Sequence, residues 1–270
     1  KNRFRKVIAV GNKLADVYTV SSQGIPKFKV TANHPFYIKK MNRVWNNDNR
    51  CYNRHFSNSE WKEVKDLSKG DFLGSPIISV EENPYNLDSE ICWLLGRYVA
   101  DGHIRKTKRK GRKNSYQYQV VFSIGNKKVD DFKNKVTSHR FSCYPHTKST
   151  YRCVVSSMKL LEFIENNDFG KGAINKNIPN LILNLPIDLA KSFLDGYMSG
   201  DGCYIDTFDS YSATTISKRL AYSLALLIQK IYKTNPSITY NHTKPTTVID
   251  GRIVNQKNNY VVLFKKNMRK

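Results

Sequence analysis

Two stretches of the sequence, Leu94–Gly102 (LLGRYVADG) and Leu194–Gly202 (LDGYMSGDG), repeat one pattern of small, apolar and acidic residues. Each ends in Asp-Gly, and the two aspartates, Asp101 and Asp201, lie 100 residues apart. Small residues recur at every fourth position, and residues four apart share one face of a helix, so each stretch predicts a helix with a narrow stripe that lacks bulk. An internal duplication is the economical explanation of the repeat.

The small residues predict close packing between the two helices. Glycine costs about 1 kcal/mol relative to alanine in a helix interior, so a stable helix that keeps Gly196 and Gly200 is expected to use them for backbone contact. Gly96 and Ala100 occupy the matching positions in the first copy. We therefore predict these four residues as the helix–helix interface.

The two aspartates are predicted at the C-terminal ends of these helices, with Gly102 and Gly202 as left-handed residues just beyond them. A helix C-terminus carries partial negative charge, so a carboxylate is disfavoured there unless a cation is bound. Two such ends side by side offer the hard oxygen ligands that Mg²⁺ (or Mn²⁺) prefers. Solvated Asp-Gly helix ends remain the alternative. The predicted metal ligands are Asp101, Asp201 and the backbone carbonyls of Ala100 and Gly200.

The charge balance narrows the classes of partner. There are 45 lysines and arginines against 22 acidic residues, a net charge of +23, which favours a polyanion such as nucleic acid. An anionic membrane surface is an alternative. No apolar run approaches the roughly 18 residues needed to span a bilayer. We expect an intracellular protein, in the cytoplasm, nucleoid or nucleus. The five cysteines form no C-x-x-C pair, and we predict buried free thiols ahead of a zinc site or disulfides.

The first part of the chain, residues 1–85, is predicted to be β-rich. Short apolar or alternating runs at residues 7–10, 16–20, 27–30 and 36–38 are separated by turn residues. Residues 39–59 are rich in Asn, Lys and Arg and predict an exposed loop. The polar stretch Glu81–Pro84 is the best boundary, so residues 86–270 form the second domain.

From residue 86 the pattern helix–strand–strand–helix–strand–strand occurs twice, in halves 86–180 and 181–270. The predicted helices of the first half are residues 89–100, a segment with Val129, Phe132 and Val136 on one face, and Met158–Asn166. The second half opens with a helix near Pro186, which suits a first helical turn, and has another after Ser217. The fold class predicted is α+β, with two pseudo-symmetric αββαββ halves after a small, mostly β domain.

These motifs resemble the double-motif, dodecapeptide LAGLIDADG homing endonucleases, especially those embedded in inteins. The resemblance covers residues 86–265 and includes Tyr151–Ser157, the Ile178-Pro179 pair and Thr214–Leu220. Val99 and Ser199 stand where the family has the first acid of its name motif, but the second acid is kept in both copies. The resemblance therefore implies an active DNA endonuclease, a phosphodiester hydrolase.

The resemblance also implies how DNA would be bound. Each half would present a curved antiparallel sheet to double-stranded DNA, and the halves together would form a saddle. A very basic run after the first motif is expected to contact the DNA, and the second hairpin is far less basic, so a pseudo-symmetric monomer should bind an asymmetric target. The predicted DNA-binding residues are Arg105, Lys106, Lys108, Arg109, Lys110, Arg112 and Lys113.

The mechanism implied is metal-dependent hydrolysis that leaves a staggered double-strand break. In this family a lysine in each half often assists. Lys148 and Lys244 are the candidates, because the tripeptide His-Thr-Lys recurs 96 residues apart in the two halves. Ordinary basic turn residues are the alternative for both lysines.

The N-terminal region resembles part of an intein splicing (Hint) domain. Thr31 and His34 match its T-x-x-H block, and Trp61–Asp71 matches the segment that follows. Lys1 is not the nucleophilic Cys or Ser that splicing requires. The region is thus expected to be an excised portion, one piece of a split intein with a complementary partner, or a relic that grips DNA through its basic residues 39–54. A non-cleaving nucleic-acid binder, such as an RNA maturase or a decayed endonuclease, and a fragment of a splicing intein remain the alternative functions.

Overall fold

The computed structural model describes residues 7–109, 115–249 and 251–266, with the side chains of Ile249 and Arg252 not described. Residue contacts divide the chain into two units between Pro76 and Ile77. This division precedes the predicted boundary at residues 85 and 86. The reason is that Ile78 and Val80 are buried, and the carbonyl of Val80 accepts a hydrogen bond from Lys230 in the larger unit.

The smaller unit contains seven short strands. Their bounds are β1 (Val17–Ser22), β2 (Ile25–Thr31), β3 (Pro35–Lys39), β4 (Met41–Asn46), β5 (Cys51–Phe56), β6 (Glu60–Glu63) and β7 (Phe72–Leu73). β1 pairs with β2, β3 lies between β6 and β7, and β4 pairs with β5, all antiparallel. The buried residues of this unit are few, chiefly Ile38, Val64 and Val20.

Two expectations for this unit were wrong. Residues 7–10 form no strand, and Ile8 is exposed, because an apolar run without a pairing partner gains nothing from extended structure. Residues 39–59, predicted as a loop, contain β4 and β5. Val44, Trp45, Tyr52 and Phe56 are β-branched or aromatic and favour a strand, and the Asn-rich composition concealed that preference.

The larger unit confirms the α+β fold with two αββαββ halves. The first half consists of α1 (Ser89–Asp101), β8 (Gly102–Lys108), β9 (Tyr116–Gly125), α2 (Val129–Lys135), β10 (Phe141–Pro145), β11 (Thr150–Val155) and α3 (Met158–Asn166). A short helix, α4 (Asn180–Leu183), leads to the second half. That half consists of α5 (Ile187–Asp201), β12 (Gly202–Ile205), β13 (Ser210–Thr215), α6 (Lys218–Tyr232), β14 (Ser237–Asn241), β15 (Thr246–Ile249), β16 (Arg252–Asn255) and β17 (Asn259–Phe264).

Each half has a four-stranded antiparallel sheet covered by helices. The strand orders are β10-β11-β9-β8 and β12-β13-β17-β14. In the first half α1 and α3 pack on β9, and in the second α6 packs on β13 and β17. The two-stranded β15–β16 ribbon is inserted between β14 and β17 and has no counterpart among the described strands of the first half. It was not predicted. No helix within the described ranges has the length and apolar character needed to cross a membrane.

The cysteines differ from the prediction of buried free thiols. Cys143 and Cys153 are directly opposite each other on β10 and β11 and form a disulfide. Antiparallel pairing brings opposite Cβ atoms within bonding reach of two sulfurs. Cys51 and Cys203 are free but exposed, and only Cys92 is both free and buried.

Candidate active site at the paired helix ends

Close packing of α1 against α5 places the two acidic helix ends side by side. A Cβ atom added to Gly96 would overlap the backbone oxygen of Phe193, and one added to Gly196 would overlap the backbone oxygen of Trp93. Near the helix ends, a Cβ on Gly200 would lie 2.5 Å from the Cβ of Ala100. The small-residue stripes are therefore where the helix backbones touch.

Both helices end at the predicted acids. α1 ends at Asp101 and α5 ends at Asp201, and each following glycine begins a strand. Gly102 and Gly202 are not left-handed as predicted, because their φ angles are −89° and −83°. Glycine is required for space instead: a Cβ on Gly102 would lie 2.5 Å from the Cα of Tyr98 in the preceding turn.

A buried arginine lies beside the two acids. The Arg97 guanidinium, 3% exposed, forms an ion pair of 2.8 Å with Oδ2 of Asp101, which is 34% exposed. A Cβ on Gly200 would lie 2.9 Å from that same carboxylate oxygen. The Asp101 carboxylate therefore touches the last turn of α5, directly before Asp201. Arg97 was not among the residues predicted for this site.

The electrostatics of the site favour an added cation. Burial, and then the charge of Asp101, raise the pKa of Asp201 to about 6, while Arg97, Lys176 and Lys128 act in the opposite direction. The burial penalty and the repulsion between carboxylates thus outweigh three nearby cationic groups. A divalent cation between the carboxylates would relieve that repulsion.

Lys176 also lies at this site and was not predicted from the sequence. Its ammonium is buried and donates hydrogen bonds of 2.6 Å to the Tyr98 carbonyl and 2.9 Å to the Gly102 carbonyl, at the end of α1. Burial lowers the pKa of Lys176 to about 7, against the opposing charges of Asp201 and Asp101. Its one sequence signal was its place two residues before the Ile178-Pro179 pair.

Lys128 has a matching place at the end of the other helix. Its ammonium donates a hydrogen bond of 2.7 Å to the carbonyl of Ser199 in the last turn of α5. Cations at helix C-termini are favourable, because they satisfy free carbonyls and oppose the helix dipole. Each acidic helix end therefore has its own lysine.

The donor atoms at the helix ends suit a hard divalent cation. Two carboxylates, from Asp101 and Asp201, come together where the backbone carbonyls of two helix C-termini also lie. No group of three or more His, Cys, Asp or Glu side chains within the described ranges could hold a metal. Further ligands would have to come from backbone carbonyls such as those of Ala100 and Gly200, from water or from a bound phosphate.

The two lysines chosen from the repeated tripeptide lie elsewhere. Lys148 is exposed in the turn between β10 and β11, where its carbonyl accepts a hydrogen bond from Asn126. Lys244 is exposed in the segment between β14 and β15. Lys128 and Lys176, by contrast, are among the groups that oppose the rise in the pKa of Asp201.

The basic hairpin β8–β9 carries part of the predicted DNA-binding set. Arg105 donates a hydrogen bond of 2.8 Å to Oε1 of Gln119 on the neighbouring strand. Lys106 lies 5.1 Å from the ring centres of both Tyr116 and Tyr118. Lys108 ends β8, and Arg109 follows it with an exposed side chain. The other predicted residues, Lys110, Arg112 and Lys113, lie outside the described residues.

Thr31 and His34, the candidate splicing block, lie in the smaller unit at the turn between β2 and β3. The backbone N–H of His34 donates to the carbonyl of Thr31 at 3.0 Å. The Thr31 hydroxyl donates to the Asn33 side chain at 2.9 Å. The His34 ring is exposed and packs 5.1 Å from the ring of Phe36. These contacts are those of an ordered, solvent-exposed turn.

No protein-family profile matches the chain. By sequence it is similar to a DNA polymerase of Thermococcus kodakarensis, 29% identical over 173 residues, 63% of this chain and 10% of the polymerase. A replication factor C small subunit of Methanocaldococcus jannaschii is 28% identical, covering 44% of this chain and 7% of that protein. A Clp protease proteolytic subunit of Chlamydomonas moewusii is 22% identical, and the match covers 78% of this chain and 22% of that protein. The chain thus spans less than a quarter of the length of these relatives.

Solved structures similar to the chain include DNA-bound homing endonucleases. I-DmoI in complex with DNA and Mn is 18% identical and has a TM-score of 0.44. The match covers 65% of this chain and 88% of the I-DmoI chain. Full-length WhiA from Thermatoga maritima is 14% identical and has a TM-score of 0.40. The match covers 68% of this chain and 53% of that one.

Proposed function

We propose that this protein is a site-specific DNA endonuclease of the LAGLIDADG homing type, which makes a metal-dependent, staggered double-strand break. The observation that carries the proposal is the pairing of Asp101 and Asp201 at the ends of two packed helices. This pairing raises the pKa of Asp201 to about 6 through burial and the neighbouring carboxylate. A fold that holds two carboxylates against their repulsion is suited to a site that binds cations.

The chemistry proposed is hydrolysis of one phosphodiester in each strand. Asp101 and Asp201, with the carbonyls of Ala100 and Gly200, would hold Mg²⁺ or Mn²⁺, and the metal would supply stabilisation of charge on the attacking and leaving oxygens. One acid would serve each strand, which accounts for a staggered break. Lys176 and Lys128 would hold the two helix ends in place and keep positive charge beside the scissile phosphates.

The substrate proposed is a long, asymmetric double-stranded DNA target, bound by a monomer. The net charge of +23 supplies the attraction. The halves offer unequal surfaces: β8 carries Arg105, Lys106 and Lys108, whereas the hairpin β12–β13 carries Asp206 and Asp209. A protein with unequal half-sites does not need a palindromic target.

The sequence relatives favour an inserted, mobile element of the intein type. A DNA polymerase, a replication factor subunit and a protease subunit share no activity, yet each matches this chain over a small share of its own length. Such a pattern is expected when one mobile segment lies within unrelated hosts. The resemblance of Thr31 and His34 to a splicing block agrees with this origin, and a complementary split-intein fragment remains a candidate partner.

The decisive experiment compares cleavage by the natural chain with that of Asp101→Asn and Asp201→Asn in the presence of Mg²⁺. The substrate is a plasmid library of random inserts, from which cleaved sites are recovered. Each variant should lose double-strand cleavage by on the order of 100-fold or more while it still binds DNA. Asp195→Asn is the matched control, because Asp195 lies exposed on the same helix α5 and should leave cleavage intact.

The possible outcomes separate the candidate functions. Double-strand cleavage by both single variants at the natural rate would overturn the site. Specific binding of RNA without cleavage of DNA would favour a maturase-like binder instead. Ligation of flanking peptides when the chain is mixed with a complementary fragment would favour the splicing alternative.

A further inference from the structure

The β4–β5 hairpin of the smaller unit is a ribbon that stands almost wholly in solvent. All six residues of β5 are exposed, as are four of the six in β4. At its base the Ser57 N–H donates to the Lys40 carbonyl, and the Lys40 N–H donates to the Ser57 hydroxyl. The ring centres of Phe56 and Phe72 of β7 are 5.3 Å apart. An isolated two-stranded hairpin is marginally stable, so this ribbon adds little to the stability of the unit, and its exposed surface is open to a ligand.

One face of the ribbon collects its arginines and its large aromatics. The pairing register sets Arg43 opposite Arg54 and Trp45 opposite Tyr52. Residues two apart on a strand share a face, so both pairs lie on the same face. The rings of Trp45 and Tyr52 are 5.0 Å apart and are 49% and 62% exposed.

The charge on this face is uncompensated. Like charges directly opposite each other on neighbouring strands are destabilising. Neither Arg43 nor Arg54 forms an ion pair with any residue that the structure describes. Between Lys39 and Phe56 there are five lysines and arginines and a single acid, Asp48. An anion bound between the two guanidinium groups would relieve the repulsion.

We propose that this face of the β4–β5 ribbon enters the major groove of double-stranded DNA as a second recognition surface of the protein. The groove admits a two-stranded ribbon, and arginine there contacts guanine edges or phosphates. Arg43 and Arg54 contact the DNA from the middle of the ribbon, and Trp45 and Tyr52 pack on sugars or thymine methyl groups nearer its tip. The proposal rests on the proposed function, because it extends the target that the endonuclease would bind.

The first test measures the affinity for a fluorescently labelled DNA duplex of about 40 base pairs of mixed sequence, as salt is varied. Arg43→Ala/Arg54→Ala should weaken binding about tenfold and reduce the salt slope by about two. The matched control is Lys27→Ala/Lys29→Ala, which removes the same charge from exposed positions of β2 in the same unit. An equal loss of affinity in both double variants would show that only the net charge matters, and it would overturn the proposal.

The second test follows tryptophan emission on addition of the same duplex. Trp61 also lies in the smaller unit, is 68% exposed and packs beside Tyr37, so it matches Trp45 in exposure and in its tyrosine neighbour. A change on DNA binding should disappear in Trp45→Phe and persist in Trp61→Phe. The reverse pattern, or a stronger response to single-stranded DNA or duplex RNA, would overturn the proposal.

The outcome is distinguishable from failure of the proposed endonuclease. Arg43→Ala/Arg54→Ala should lose affinity for the duplex, whereas Asp101→Asn and Asp201→Asn should lose cutting and still bind DNA. If neither the natural chain nor any variant cuts DNA, but duplex binding needs the two arginines, the proposed role of the ribbon is supported and the proposed endonuclease activity is refuted. If cutting is normal and the arginines have no effect on binding, the ribbon alone is refuted.

Discussion

Among single residues, Lys176 is the lysine whose removal we expect to affect DNA cleavage strongly. Lys176 is buried and bonded to the Tyr98 and Gly102 carbonyls, whereas Lys148 and Lys244 are exposed. Lys176→Met should slow DNA cleavage by on the order of 100-fold, since it removes a positive charge beside both carboxylates. Single-turnover cleavage rates and DNA affinity, measured separately, check this expectation.

The controls for that prediction are Lys148→Met and Lys244→Met, which remove the same charge from exposed positions. Both should cut at rates within about threefold of the natural chain, because an exposed charge is screened by solvent and salt. Lys176→Met also removes hydrogen bonds to the Tyr98 and Gly102 carbonyls, so its thermal unfolding must be recorded. A folded variant with an unchanged cleavage rate would exclude Lys176 from the site.

Glu90 predicts a pH dependence of stability. It accepts hydrogen bonds from the backbone N–H groups of Thr137 and Ser138, and it pairs with Nδ1 of His139 at 2.9 Å. Burial alone would raise the pKa of Glu90, but these bonds together lower it from 4.5 to about 2. Because the folded-state pKa is the lower one, the contribution is full above pH 4.5 and is lost as the pH falls towards 2.

The measurement is urea unfolding of the natural chain and Glu90→Gln across that acid range. Above pH 4.5 the variant should be less stable by about 2 kcal/mol, because it lacks hydrogen bonds to a charged group. The two curves should converge at the acid end. A difference that stays constant with pH would show that the carboxylate charge contributes nothing.

At the scale of elements, the contact between α1 and α5 depends on glycine. Gly196→Ala would drive a methyl group into the backbone of Trp93, so the helices must separate, at a cost of about 3 kcal/mol or more in the free energy of unfolding. Gly125→Ala is the matched control: nothing lies within 4 Å of its added Cβ, and its φ of −64° suits alanine. Thermal and urea unfolding should show a change below about 1 kcal/mol for the control.

The sequence predicted those elements whose signal is local and periodic. The ends of α1, α3 and α5 agree with the structure because capping residues and apolar spacing mark them, as where Asp88 accepts the Ile91 N–H. The disulfide of Cys143 with Cys153 depends on strand register, which no local pattern of the sequence fixes. The glycines after the acids were identified for the wrong reason: neither is left-handed, and each leaves space for the helical turn before it, at Tyr98 and Met198.

At the scale of the whole molecule, the duplication was predictable but its departures from symmetry were not. The repeated tripeptides that contain Lys148 and Lys244 lie in unlike settings. One lies in the short connection between β10 and β11, and the other precedes the inserted β15–β16 ribbon. Lys176 and Lys128 came from no repeat, and the fold brings them to the two helix ends. Repetition in sequence therefore predicted the two acids at the helix ends, but it did not predict the lysines that lie beside them.

The boundary of the larger unit gives a prediction about the whole chain. A chain that starts at residue 77 keeps Ile78 and Val80 in the core, together with the Val80 carbonyl that accepts from Lys230 at 2.7 Å. A chain that starts at residue 86, the boundary expected from sequence, loses both apolar side chains. It also leaves the buried Lys230 ammonium with two acceptors, Leu183 and Leu185.

The shorter chain should therefore be less stable by about 3 kcal/mol or more, the burial of two aliphatic side chains, and should melt several degrees lower in circular dichroism. The longer one should unfold cooperatively and still cut DNA with Mg²⁺, but bind duplex more weakly, because it lacks the β4–β5 ribbon. Equal melting of the two truncated chains would place the boundary at residue 86 after all. Equal duplex affinity of the longer truncated chain and the full chain would instead remove the smaller unit from DNA recognition.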